Sequence, residues 1–171
     1  AISSYNTDTL ENFTGMFRYS AVTKTIDEAE TSILSNITKV KMYKFITPTL
    51  NNGSKYTLSF NNAFFNPHSG HNSAAGGVVS STGFKISGDD TNEHFLDDDG
   101  AGNIRVYYLS GTTRIYTDST YGTIDYTNGE IILTSANITS ISNIDGAASA
   151  RIRITVSPDS NCLLYTSDAA D

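Results

Sequence analysis

His68 and His71 stand three residues apart as an H-x-x-H pair, with His94 further along the chain. Imidazole is the commonest protein ligand for metals. A closed metal centre needs about four donors, however, and no carboxylate or cysteine at ligand spacing accompanies the pair. The pair reads as part of a polar loop, and no metal or cofactor is expected. Asp97, Asp98 and Asp99 precede Gly100 and resemble part of a calcium loop. An EF-hand needs oxygen ligands at alternating positions and a glutamate at the twelfth. Counted from Asp97, the twelfth residue is Tyr108, and strand-like rather than helical segments flank the run. A hairpin turn is the better reading, because Asp and Asn side chains hydrogen-bond the backbone of turns.

Nucleophilic chemistry finds no support. The chain has no G-x-S-x-G elbow, no P-loop and no G-x-G-x-x-G. Glycoside hydrolysis needs two acids facing each other across a cleft, and a sequence-local pair such as Asp125 and Glu130 does not establish that. Asn12, Asn36, Asn52 and Asn137 open glycosylation sequons, which chance supplies in a chain this rich in Asn, Ser and Thr. Tyr107, Tyr108, Tyr116, Tyr121 and Tyr126 cluster closely. Exposed, they would grip sugar or protein; cross-strand packing is the preferred account. No catalytic residues are assigned, and the chain is not expected to be an enzyme.

The elements that hold these residues follow from periodicity. Val22, Ile26, Ala29 and Ile33 lie on one helical face, and Leu10, Phe13 and Phe17 repeat that spacing upstream. Gly15 weakens the upstream helix by about 1 kcal/mol relative to Ala. A helical lead-in is predicted over residues 8–34, with a break near Ser20. From Thr38 the period becomes two: Val40 and Met42, then Tyr56, Leu58 and Phe60, then Ile104, Val106 and Tyr108, then Ile152, Ile154 and Val156. Such rows are strands with one wet face, which implies antiparallel pairing. Asn51-Asn52-Gly53, Asp97–Asn103, Ser110-Gly111-Thr112 and above all Asn128-Gly129 supply the turns. The spacing of turns suits a β-sandwich. Residues 66–83 carry Pro67, both loop histidines and several Gly and Ser, and are predicted to form a long irregular loop.

Composition agrees. The chain has 171 residues, 38% hydrophobic and only 17% charged, no Trp, and a net charge of −7. An acidic chain without a basic stripe is not expected to bind nucleic acid. No stretch is apolar enough to span a bilayer as a helix, so no membrane is expected as partner, nor a small-molecule substrate.

Taken in order, several blocks carry a resemblance. They are Phe17–Ser20, Thr23–Ala29 and Ser32–Thr38; then Asn66–Asn72; then Asp97–Gly100 with Gly102-Asn103; then Gly122–Tyr126 with Gly129–Ile131; and Pro158–Asn161. Over residues 5–161 the chain resembles the C-terminal half of the large inner-ring baseplate wedge subunit of T-even-type myoviruses, in the version found in phages of marine cyanobacteria. The first block is similar to a segment of contractile-tail baseplate proteins in which a helix ends a core module. The resemblance stops at Asn161. Residues 162–171 resemble read-through of a sequencing adapter and are set aside. Cys162 then drops out as the sole cysteine, and loss of Asp168 and Asp171 brings the net charge from −7 to −5.

The expectation is a mainly β protein: residues 1–36 a helical lead-in ending a preceding module, and 37–161 an antiparallel, sandwich-like domain. The resemblance implies a structural virion component, assembled in the host cytoplasm, that contacts other copies of itself and other wedge proteins in the baseplate ring. Candidate contact residues are Asn66, Pro67, His68 and His71 in the irregular loop, and Lys39, Lys41 and Tyr43 on the strand 39–46, since edge strands and long loops are natural docking points. The rival is a β-sandwich module that grips host-surface carbohydrate through its tyrosines.

Overall fold

The computed structural model describes residues 2–10, 17–71 and 77–159. They fall into two compact units, one covering Ala1–Val40 and the other Lys41–Asp159.

The first unit holds α1 (Ile2–Tyr5), a π-helical turn (Asn6–Leu10) and α2 (Tyr19–Asp27). The predicted 8–34 helix is therefore too long. Phe13 and Gly15 lie outside the described residues, Phe17 and Arg18 are non-helical so that α2 starts afresh next to Ser20, and Ala29 and Ile33 lie beyond its end. The cause is local competition. Glu28 N–H donates to Lys24 O and Ala29 N–H to Ile26 O, closing the helix. The Asn36 side chain then donates to Asp27 Oδ1 at 2.5 Å and Thr23 O at 3.4 Å, and Tyr19 OH reaches Thr38 O at 3.0 Å. Thr, Ser and Asn between residues 31 and 38 favour such side-chain-to-backbone bonds over another helical turn. Leu34 and Ile37 are left exposed.

The second unit is antiparallel β, as the alternation predicts. A three-stranded sheet has the order β1 (Met42–Ile46), β9 (Ile152–Val156), β3 (Val79–Ser81). A six-stranded sheet has the order β2 (Gly53–Ser59), β8 (Glu130–Ile141), β4 (Phe84–Ile86), β5 (Asp89–Asp98), β6 (Asn103–Ser110), β7 (Thr113–Asp125). β7 also pairs with β8, so the ladder from β8 through β4, β5, β6 and β7 returns to β8. Closure needs a backbone close approach at Gly122, where a Cβ would collide with Ile132 O. Gly129 ends the β7–β8 turn at φ 66°, and a Cβ there would strike Asn62 O. Glycine is the residue that meets both demands.

Two strand expectations need correction. β1 starts at Met42, not at residue 39, because its partner β9 ends at Val156, opposite Met42. The stretch 66–83 is not wholly irregular either. Val79–Ser81 pairs with the other edge of β9, so tertiary pairing overrides a weak local signal. The core lies between the sheets: Leu58, Phe64, Phe84, Leu96, Ile104, Val106, Ile131, Leu133, Ile138, Ile152, Ile154 and Val156 are all buried. β9 alternates buried and half-buried along its length, as Ile152, Ile154 and Val156 foretell.

Candidate functional site

The three consecutive aspartates split into two roles. Asp99 makes the turn. Its Oδ1 accepts from Ala101 N–H at 2.8 Å and Asn103 N–H at 2.9 Å, and its Oδ2 from the Asn103 amide at 2.6 Å. Burial alone would raise its pKa, but these bonds outweigh it and hold Asp99 below the ordinary carboxylate value. Asp97 and Asp98 are strand residues at the end of β5 and are 1% and 0% exposed. The turn that the sequence predicts for the whole run therefore holds at Asp99 and fails at Asp97 and Asp98. The available signal was register: continuing the His94 and Leu96 alternation puts Asp98 on the core face.

The Asp98 carboxylate points inward and meets no guanidinium among the described residues; Arg105 Nη2 donates instead to the Asp98 backbone O at 2.8 Å. Asp98 Oδ1 accepts from the Val78 and Val79 N–H groups at 2.5 and 2.8 Å, and its Oδ2 from Tyr126 OH at 2.7 Å. Burial, then the hydrogen bond to Asp98, raises the pKa of the Tyr126 phenol. One carboxylate thus ties β3 of the small sheet to β5 and the β7–β8 turn of the large one. Nearby, Leu96 N–H donates to Ser81 Oγ at 2.9 Å across the same junction.

Asp97 points to the outer face, away from the core. Arg105 Nε reaches Oδ1 at 2.9 Å; Arg114 Nη1 and Tyr116 OH reach Oδ2 at 2.6 and 2.8 Å. The Arg105 guanidinium lies 4.4 Å over the Tyr116 ring, and that of Arg114 4.5 Å over Tyr107. Phe95, Tyr107 and Tyr116 form a row with ring centroids 5.8 Å apart at each step. Burial raises the Tyr107 and Tyr116 pKa values. Tyr121 is half-buried, and burial pushes its phenol up to about 12. The tyrosines are largely engaged in packing and hydrogen bonds: Tyr107 and Tyr116 each carry an arginine over one ring face, Tyr116 staying 36% exposed, and Tyr126 is held by Asp98. That arrangement counts against a sugar-stacking platform.

The loop candidates are brought together at one place. Asn66 Nδ2 and Gly70 N–H both donate to Gly100 O, at 3.1 and 2.9 Å, so the loop rests on the Asp99 turn. Pro67, His68 and His71 are exposed. The His68 and His71 rings meet each other, Nε2 to Nδ1 at 3.2 Å. His94 has no exposed surface and lies 3.5 Å from Asp89, Nε2 to Oδ2, and no group of three or more metal-ligating side chains is found among the described residues. An open depression of about 480 Å³ lies between this loop, Gly100–Gly102 and Ile124–Thr127.

The strand candidates lie at a sheet edge. β1 pairs with β9 on one side and stands at the end of its sheet. Tyr43 is 59% exposed and stacks edge-on with Phe45 at 5.5 Å, while Arg151 lies 4.2 Å over the Phe45 ring. Lys39 and Lys41 are exposed, and Lys39 belongs to the first unit.

Residues 1–45 match the family model described as baseplate structural protein gp6, C-terminal domain III. The family is one of structural proteins of the phage tail baseplate, not an enzyme family, and the match supports a structural baseplate role for this chain. The matched stretch takes in α1, α2 and the start of β1 as far as Phe45. No curated protein and no solved structure matches the chain.

Proposed function

We propose that this chain is part of a wedge subunit of a contractile phage tail baseplate, and that its β unit makes subunit contacts in the baseplate ring. The observation that carries this is the overlap at residues 41–45. They close the stretch matched to the baseplate family and open the β unit, pairing with β9 from Met42 onward. The baseplate match therefore runs into the first strand of the β unit. Its partners are other copies of the chain and other wedge proteins, met in the host cytoplasm during assembly.

Two features of the β unit support particular contact surfaces. Among the described residues β1 has a ladder partner on one side alone, with Tyr43 and Phe45 exposed, and aromatic residues are enriched in interfaces. Lys41 and Lys44 on and beside that edge discourage indiscriminate strand pairing. The loop carrying Asn66, Pro67, His68 and His71 is a second contact, braced on Gly100 O.

Co-expression of the chain with the other wedge proteins of its tail tests the proposal. Tyr43→Asp with Phe45→Ser, and separately His68→Ala with His71→Ala, are introduced and wedge formation is read by size. Loss of incorporation in the strand variant, with an unchanged melting profile of the free chain, is expected. Assembly of both variants at the parental level would refute both contacts.

A further inference from the structure

On the outer face of β5, β6 and β7 one exposed row of residues has a charge order that is its own complement. Register places Leu109 beside Arg114, and Tyr107 between Phe95 and Tyr116. Glu93 lies one step beyond the His94–Tyr108 pair, so it shares a row with Leu109 and Arg114. Its side chain reaches over Gly83, where a Cβ would collide with the carboxylate. The row therefore reads acid, apolar, base across three strands. Glu93 is exposed, Leu109 is 49% exposed, and the Arg114 side chain is 25% exposed. Asp97 is shared by two guanidinium groups, which leaves one positive charge over, and Glu93 balances it.

We infer that this face is where a second copy of the chain docks, about a two-fold axis running along β6. The inference rests on the proposed self-contact in the baseplate and names its surface. Such a rotation lays the second copy's Glu93 over Arg114, its Leu109 over Leu109 and its Phe95 over Tyr116, and an isologous interface demands that kind of reciprocity. On a chain of net charge −7, a locally neutral face lets two copies approach without like-charge repulsion. The arginines are already fixed on Asp97 and the tyrosine rings, so little side-chain freedom is lost on docking. Tyr and Arg are also the residue types that dominate interface energetics.

Sedimentation equilibrium of the full chain, from about 10 to about 500 µM and at two salt concentrations, tests this, because a small charged interface associates in that range and weakens with salt. A reversible dimer is expected. Glu93→Lys and Leu109→Ser, both at exposed positions, should each raise the dimer Kd about tenfold or more. Glu93→Lys and Arg114→Glu should each be monomeric alone and form a heterodimer when mixed; a thermal melt checks that Arg114→Glu folds. If it does not fold, Glu93→Lys and Leu109→Ser decide the matter. A dimer whose Kd ignores both substitutions overturns this face but leaves self-contact standing. A chain that stays monomeric throughout overturns self-contact and this face together.

Discussion

Replacing Asp98 with alanine should loosen the joint between the two sheets more than any other single polar change. The carboxylate is fully buried and accepts three hydrogen bonds, two from consecutive backbone N–H groups and one from a phenol. Alanine leaves the Val78 and Val79 N–H groups and the Tyr126 O–H without their acceptor. Val78 and Val79 are themselves buried, so water cannot readily replace the acceptor. Each orphaned buried group costs about 1–3 kcal/mol, which sums to roughly 3–5 kcal/mol after partial relaxation. That is a large share of the about 5–15 kcal/mol that holds a domain together. Asp98→Asn is the control. Its carbonyl still serves both N–H groups, and Tyr126 can rotate to accept from the amide, so the loss is about 1–2 kcal/mol. The chain has no Trp, so urea unfolding is followed by far-UV circular dichroism. The midpoint should fall in the order wild type, Asn, Ala, with little change of slope. An alanine variant within about 1 kcal/mol of wild type would refute the reasoning, since unsatisfied buried groups are expected to cost more than that.

Three further outcomes follow. Arg105→Ala or Arg114→Ala alone leaves Asp97 one guanidinium partner, whereas the double variant strands a buried charge at a cost of about 3–5 kcal/mol; a double-mutant cycle should show clear non-additivity, and simple additivity would contradict the shared site. Burial depresses the His94 pKa, opposed by Asp89, so the unfolded chain takes the proton first as pH falls below about 6.5. Stability should then drop by at most about 1.4 kcal/mol per pH unit through that window, and His94→Phe should flatten the slope there; Asp89, Asp99 and Asp125, with lowered pKa values, act only below the ordinary carboxylate range. Gly129→Ala should lower the melting midpoint by several degrees, because it combines a positive φ with a collision at Asn62 O, while Gly111→Ala, at a similar φ in open space, should cost less.

Much of the architecture was legible because it follows from short-range pattern. The alternation at Ile152, Ile154 and Val156 and the Asn128-Gly129 turn each specify their local structure. What stayed hidden depends on partners distant in sequence. β3 is three residues long and exists because β9 has a free edge to fill. Helix α2 ends at Asp27 because Asn36 folds back on it, a bond that no amphipathic stripe reveals. The charge network was harder still. Asp97 meets Arg105, Arg114 and Tyr116 only once β5, β6 and β7 are in register, and Asp98 meets Tyr126 from 28 residues away. The loop at Asn66 was read as an interaction element from composition, while its anchor on Gly100 O came from the fold.

The most direct test of the account is to purify tail baseplates from the phage that encodes this chain and analyse them by mass spectrometry with amide exchange. Peptides spanning Lys41–Asp159 should be present in fixed ratio to the other baseplate proteins, with the Met42–Ile46 amides more protected than in the free chain. Baseplates that lack these peptides, or that hold them with unchanged exchange across the whole β unit, would contradict a role in holding neighbours together.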